Sequence, residues 1–481
     1  MRRSEFQGQS DNLGRGAACK ACSKGLIHTM RSGLAPLILV MLSCLQASAQ
    51  PLAFPGAEGW GRFATGGRGG DVYAVTNLND DGPGSLRDAV REGNRTVVFR
   101  VSGTITLESD LKITQPHITI AGQTAPGDGI CLRKHPLKIA DTHDIIIRYL
   151  RVRPGDELGK SLDGIEIRES ENVIVDHCSV SWTIDEAINT YHGTKNLTIQ
   201  WCLISEPLND SHNYKPHGFG ASWGGEHTSY HHNLFAHAAG RNPSVAGGDG
   251  PRAILMDHRN SVIYNWQHRT CDGKPETINV VNNYYKPGPA TQPHVIRRLV
   301  RVDDTMAKYG FESVWHIAGN IMEGAPDINA DNRLGIEYVG NTNASKNLTS
   351  TPFPTATVTT QPADEAYALV LENVGANRPK RDAVDARILH EVATGTARFG
   401  KDGIIDSQDD VGGWPKLESR PAPEDNDGDG MADEWEIANG LDPKTARDRN
   451  ATRLDSSYTN LEVYLNSLVA PSDGRSKPTL R

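Results

Sequence analysis

Between positions 163 and 241 the sequence places acids first, then a lysine, then an arginine: Asp163, the run Ile184-Asp185-Glu186-Ala187-Ile188-Asn189, Lys215 and Arg241. Carboxylates brought side by side by folding could hold a hard cation through oxygen ligands. Set against two fixed positive charges, such a centre suits an anionic substrate whose carboxylate must be neutralised during reaction. Segments so far apart in the chain meet only if the fold stacks them beside one another.

A repeat supplies that stacking. Asn172 to Ser181 aligns with Asn196 to Ser205, and the same frame fits His227 to Phe235, the stretch around Asn260, Ile278 to Tyr285 and the stretch around Asn320. The marker residues are Gln123, Leu150, Cys178, Cys202, Asn233, Asn260, Asn283 and Asn320. A period near ~27 that tolerates insertions predicts coils of a parallel β-helix with its insertions in loops. Short β runs such as Ile145-Ile146-Ile147 and Val173-Ile174-Val175, separated by Gly, Asn and Pro turns, agree with an all-β frame. Asparagine recurring at the marker predicts a ladder of amides inside one turn, and Cys178 and Cys202 should stack in neighbouring coils.

Composition narrows the function. The chain has 481 residues, 37% apolar and 23% charged, with 48 glycines and a formal charge of −9. That balance is globular and turn-rich, and with no basic cluster it argues against nucleic acid as a partner. From Met30 the chain shows Arg31, an apolar run Leu34 to Leu45 and then Ala47-Ser48-Ala49, the layout of a secretory signal too short to span a bilayer. The expected division is therefore a non-native or untranslated leader over 1–29, a signal peptide over 30–49, a β-helix over 50–345, an extension packing on it over 346–420, and a calcium loop with a terminal helix over 421–481. The expected product is a secreted or periplasmic monomer without a membrane span. In the extension, Leu348 to Pro362 should lie extended on the surface, with helices near 364–374, 381–394 and 458–469.

Ordered motifs then point to a family. Phe54-Pro-Gly-Ala-Glu-Gly-Trp-Gly61, Gly66-Gly-Arg-Gly-Gly70, Val75 to Arg87, Val101-Ser-Gly-Thr-Ile105, Val175-Asp-His-Cys178, His231-His-Asn-Leu-Phe235 and Arg241-Asn-Pro243 resemble, in order, those of bacterial family 1 pectate lyases of the exported type. The resemblance spans roughly 54–320 and implies a right-handed parallel β-helix. It also implies calcium-dependent β-eliminative cleavage of polygalacturonate, giving 4,5-unsaturated products. By the same resemblance Asp163 and Asp185 are the calcium carboxylates, with Asn189 standing where a third acid is common. Lys215 meets the substrate carboxylate, and Arg241 is the residue assigned as base. Glu186 is expected to face away, on the reading that a strand alternates its side chains. A second arginine is missing at Ser244 and Ala246, with Arg252 as a substitute, and Asp176 is expected to be structural. The rivals are a pectin lyase on methylated polymer and a non-catalytic polyuronate-binding β-helix.

A separate motif, Asp425 to Glu436, matches an EF-hand-like loop, with acids at positions 1, 3, 5, 9 and 12 and glycine at 6. It predicts a second Ca²⁺ held by Asp425, Asp427, Asp429, the Met431 carbonyl, Asp433 and Glu436.

Overall fold

Strands of two to six residues, rich in Ile and Val, pair only in parallel and build three sheets of ten, nine and nine strands. Each coil contributes one strand to each sheet, which is the parallel β-helix the repeat predicts. The computed structural model describes residues 50–470 except 213–215, 246–252 and 304–309, and the side chains of all of these but 191 and 192. The leader and signal segment, Lys215 and Arg252 therefore lie outside the described residues.

Parallel stacking places equivalent residues over one another. In the ten-stranded sheet Ile118, Ile145, Val173, Leu197, Thr228, Met256, Ile278 and Trp315 form one inner row, and all are fully buried. Burying each large apolar member stabilises by about 1.5–3 kcal/mol, and the backbone groups of one coil are satisfied by the next.

The turn after six of these strands uses a left-handed residue: Tyr149, His177, Trp201, His232, Asn260 and Asn282, with φ between 50 and 57°. The first four rings stack outside the coil, at centroid spacings of 4.9, 5.9 and 4.2 Å. The residue after each forms the ladder. Cys202 N–H donates to Asn233 Oδ1 at 2.9 Å, Asn233 N–H to Ser261 Oγ at 3.2 Å, Ser261 N–H to Asn283 Oδ1 at 2.9 Å, and Asn283 N–H to Asn320 Oδ1 at 2.9 Å. Asn260 is thus not the marker in its coil. Arg259 pairs with Val281, which brings Ser261 into line, and Asn260 instead donates to the Gln361 carbonyl at 2.7 Å. Cys178 and Cys202 sit in adjacent coils, buried and unbridged.

The outer face of the ten-stranded sheet is covered twice. Gly61 N–H donates to Thr198 Oγ1 at 2.9 Å, and a Cβ on Gly61 would stand 2.3 Å from the Val173 carbonyl, so only glycine allows this approach. Further along, Phe353 N–H donates to Asn279 Oδ1 at 2.9 Å and Gln361 N–H to Asn260 Oδ1 at 3.2 Å, tying down the extended 348–361 segment. Helices Ala363–Asn373 and Ala383–Thr394 cover Leu203, Leu234 and Val262 of a second sheet. The last helix, Asn460–Ser467, starts on a capping box made by Thr459 and Glu462. One sheet keeps an open polar face, and the site lies there.

Candidate active site

The remaining nine-stranded sheet aligns Lys138, Glu166, Asn189, Ser222, Ser244, Asp272 and Arg301 in one row across successive coils. Beside the middle of this row, the turns before Ile165–Arg168 and Ile188–His192 carry Asp163, Asp185 and Glu186. Stacking fixes these turns: Glu186 N–H donates to Asp163 Oδ1 at 3.1 Å, and Asp185 N–H to the Leu162 carbonyl at 3.1 Å. One carboxylate oxygen from each of Asp163, Asp185 and Glu186 lies within 4.8 Å of the others.

Glu186 therefore does not face away. Residues 184–187 form a bend ahead of the strand, so the alternation of a strand does not reach them. Its Oε1 pairs with the Arg241 guanidinium and accepts from Ser222 Oγ at 2.8 Å. Arg241 also stands 4.0 Å from Asp185 Oδ1 and lies over the Phe219 ring, 3.8 Å from its centroid. Its backbone is left-handed, with φ 54°.

The donor set fits a hard cation. Burial, then the charges of Asp185 and Glu166, push the Asp163 carboxyl up to about 8, as expected for buried acids crowded together. Asn189 donates through Nδ2 to Asp163 Oδ2 at 3.1 Å, while its buried Oδ1 has no partner. That oxygen could serve as a neutral ligand beside the acids. Burial, then the neighbouring Arg269, lower the Arg241 proton affinity.

Arg269 is the arginine that sequence reasoning missed. It lies one coil beyond Arg241, bound in two places to Asp272 at 2.6 and 2.9 Å. With Ser244, Lys274, Arg301 and Asp303 it lines a pocket of about 140 Å³ that continues the row. Only the coil register, not local spacing, brings it near Arg241. The loop expected to bear Lys215 is closed at its base, where His217 N–H donates to the Asn209 carbonyl at 2.7 Å and Gly218 N–H to that of Leu208 at 3.1 Å. Asp176 lies elsewhere, fully buried. It accepts from Arg148 Nε at 2.8 Å and Gln200 Nε2 at 2.8 Å, and it contacts His177 Nδ1 at 2.7 Å.

At the C-terminus Asp425, Asp427 and Asp429 form a second carboxylate cluster. Burial, then neighbouring acids, raise Asp429 to about 7 and Glu436 to about 8. Met431 is buried, and its N–H donates to Asp429 Oδ1 at 2.9 Å. The Asp433 carboxylate accepts from Asn426 N–H at 2.8 Å and from the Asn426 side chain.

No protein-family model matches the chain. The probable pectate lyase C of Emericella nidulans is 37% identical over 441 residues, covering 90% of this chain and 96% of that protein. The protein of the same name in Aspergillus flavus is 35% identical over 448 residues, covering 91% of this chain and 99% of its own. Among solved structures, the cedar-pollen allergen Jun a 1 overlays with a TM-score of 0.49 at 19% identity, covering 66% of this chain and 92% of the allergen. Pectate lyase II of Xanthomonas campestris overlays at 0.43 and 16%, covering 68% and 100%. With relatives this similar along nearly their whole length, the chain belongs to the pectate lyase family.

Proposed function

We propose that the protein is an exported, calcium-dependent lyase that cleaves (1→4)-α-D-galacturonan by β-elimination. The observation that carries this reading is the joining of an acid cluster to Arg241 through Glu186. Asp163, Asp185, Glu186 and the Asn189 amide oxygen would hold Ca²⁺. When bound it would neutralise the substrate carboxylate and so ease loss of the neighbouring C5 proton.

The chain's own residues supply the rest. Arg241 is held by Glu186, Ser222 and the Phe219 ring, so its guanidinium needs little reorganisation to meet developing negative charge. Burial and the neighbouring Arg269 lower its proton affinity, the direction that an acceptor of the C5 proton requires, and Arg241 is proposed for that role. The electron pair of that C–H bond then forms the C4–C5 double bond, and the 4-linked sugar leaves on its oxygen. Lys215, proposed on sequence grounds, contacts the substrate carboxylate. Arg269 and Arg301, further along the row, suit the carboxylates of sugars beyond the cleaved bond.

Export follows from reading 30–49 as a secretory signal, which gives a secreted or periplasmic protein. Among the described residues no helix is long and apolar enough to cross a membrane. Mass spectrometry of the products tests the reaction type. Elimination gives a new non-reducing end lighter by one water than hydrolysis does, and products at the hydrolytic mass would overturn the reading.

A further inference from the structure

The C-terminal acids contain a grouping that the loop motif does not describe. Asp429, Glu436 and Asp448 bring one oxygen each within 4.8 Å of one another. Asp448 lies twelve residues past the end of the motif, in the short helical turn Asp448–Asn450. Asp429 and Glu436 are fully buried. Both oxygens of Glu436, together with Asp427 Oδ2, Asp429 Oδ2 and Asp448 Oδ1, are shielded from solvent and have no hydrogen-bond partner. Buried carboxylate oxygens left unpaired are costly, and three acids that bring oxygens within 4.8 Å of one another offer the donor set a hard cation takes. Asp433, the acid the motif offers at position 9, is committed to Asn426.

We propose that this site binds a divalent cation of the calcium class with Asp448 as a direct ligand and Asp433 as a loop brace, so that the ion ties two separate segments together. The proposal rests on reading 425–436 as a cation loop and adds the ligand that closes it. Asp448 gives the ion mechanical reach. Next to it, Arg449 Nη2 lies 3.4 Å from Asp71 Oδ1, and Asn450 Nδ2 donates to the Gly69 and Gly70 carbonyls at 3.1 and 3.3 Å. Asp71 opens the edge strand of the ten-stranded sheet. On the loop side Arg100 pairs with Asp425 at 3.4 Å, and Met431 packs with Val98, Leu461 and Tyr464. An ion joining loop and turn thus fastens the tail over the outer face of the sheet's first two strands.

Terbium luminescence on the full mature chain reads this site without reference to catalysis. Trp435 lies in the helix that carries Glu436 and can sensitise the bound ion; loss of signal in Trp435→Phe identifies that component. The wild type should show Trp435-dependent luminescence that calcium displaces. Asp448→Asn, and Asp448→Ser as a second variant, should weaken terbium binding by at least ~10-fold through loss of a charged ligand, whereas Asp433→Asn, which keeps an oxygen to accept from Asn426 N–H, should change it less than ~3-fold. Wild-type affinity in both Asp448 variants, or a loss in Asp433→Asn as large as theirs, would overturn the ligand assignment. A wild type without Trp435-dependent signal would overturn the cation loop itself, and neither result bears on lyase activity.

Discussion

Glu186 is shared between two centres: one carboxylate belongs to the acid cluster with Asp163 and Asp185 and also holds the guanidinium of Arg241. Filling the cation site and positioning the arginine are thereby coupled through a single side chain. In Glu186→Gln the shape stays and the charge goes. The half-saturating calcium concentration should rise by roughly 10-fold and turnover should fall by a similar factor. Initial rates against calcium concentration measure both; a variant with unchanged calcium dependence would remove Glu186 from the cation site.

Asn189 offers a complementary change. Its Oδ1 has no partner and its Nδ2 donates to Asp163. Asn189→Asp exchanges that donor for a fourth acid beside Asp163, Asp185 and Glu186. Without calcium the variant should melt at lower temperature than the wild type, because like charges crowd. With calcium it should bind the ion about 10-fold more tightly, since ligand charge sets affinity. Paired thermal melts and calorimetry test this, and a variant that is less stable in chelator without tighter calcium binding would show that position 189 is not a ligand.

Gly61 tests the docking of the N-terminal motif on the sheet. A methyl group there would meet the Val173 carbonyl at 2.3 Å and the Thr198 nitrogen at 2.7 Å. Gly61→Ala should destabilise by about 1–3 kcal/mol, read as a lower melting temperature. A melting point equal to wild type would mean the motif is not pressed against the sheet.

How much of this was legible in the sequence follows from what repeats and what does not. Coil stacking leaves its trace at every turn, so the β-helix could be read from Cys178, Cys202, Asn233, Asn283 and Asn320 alone. The slip at Asn260 arose because asparagine also suits the left-handed residue just before the ladder, where serine takes the ladder position. Glu186 was misplaced by applying strand alternation to a bend. Arg269 and Asp448 could not be found by spacing, since each reaches its cluster through a neighbouring coil or a later turn. Asp163, Asp185 and Asn189 were legible from the family resemblance; two stand in turns before strands of the repeat and Asn189 within one.

The buried histidines set an acid limit on stability. His232 Nε2 donates to Gln361 Oε1 at 2.8 Å and its Nδ1 faces His231 Nδ1 at 2.9 Å. The second contact needs one unprotonated nitrogen. Burial first, then Arg259 and His177, hold His232 down to about 4, while the Gln361 bond acts the other way. The unfolded chain takes up this proton near ~6.5. The sign follows: between about 6.5 and about 4 the unfolded state binds more protons, so stability falls as pH falls through that window and returns as pH rises. His232→Gln should flatten melting temperature against pH over this range, and an unchanged slope would remove His232 as a cause.

The most direct test of the central claim is ultraviolet absorbance of polygalacturonate incubated at alkaline pH with the mature protein, in calcium and in chelator, with Arg241→Lys alongside. The account predicts absorbance that rises with calcium, stays flat in chelator, and is at least ~100-fold slower in the lysine variant, which keeps the charge but loses the planar fork. A polymer that binds without absorbance, or an Arg241→Lys enzyme as fast as the wild type, would contradict it.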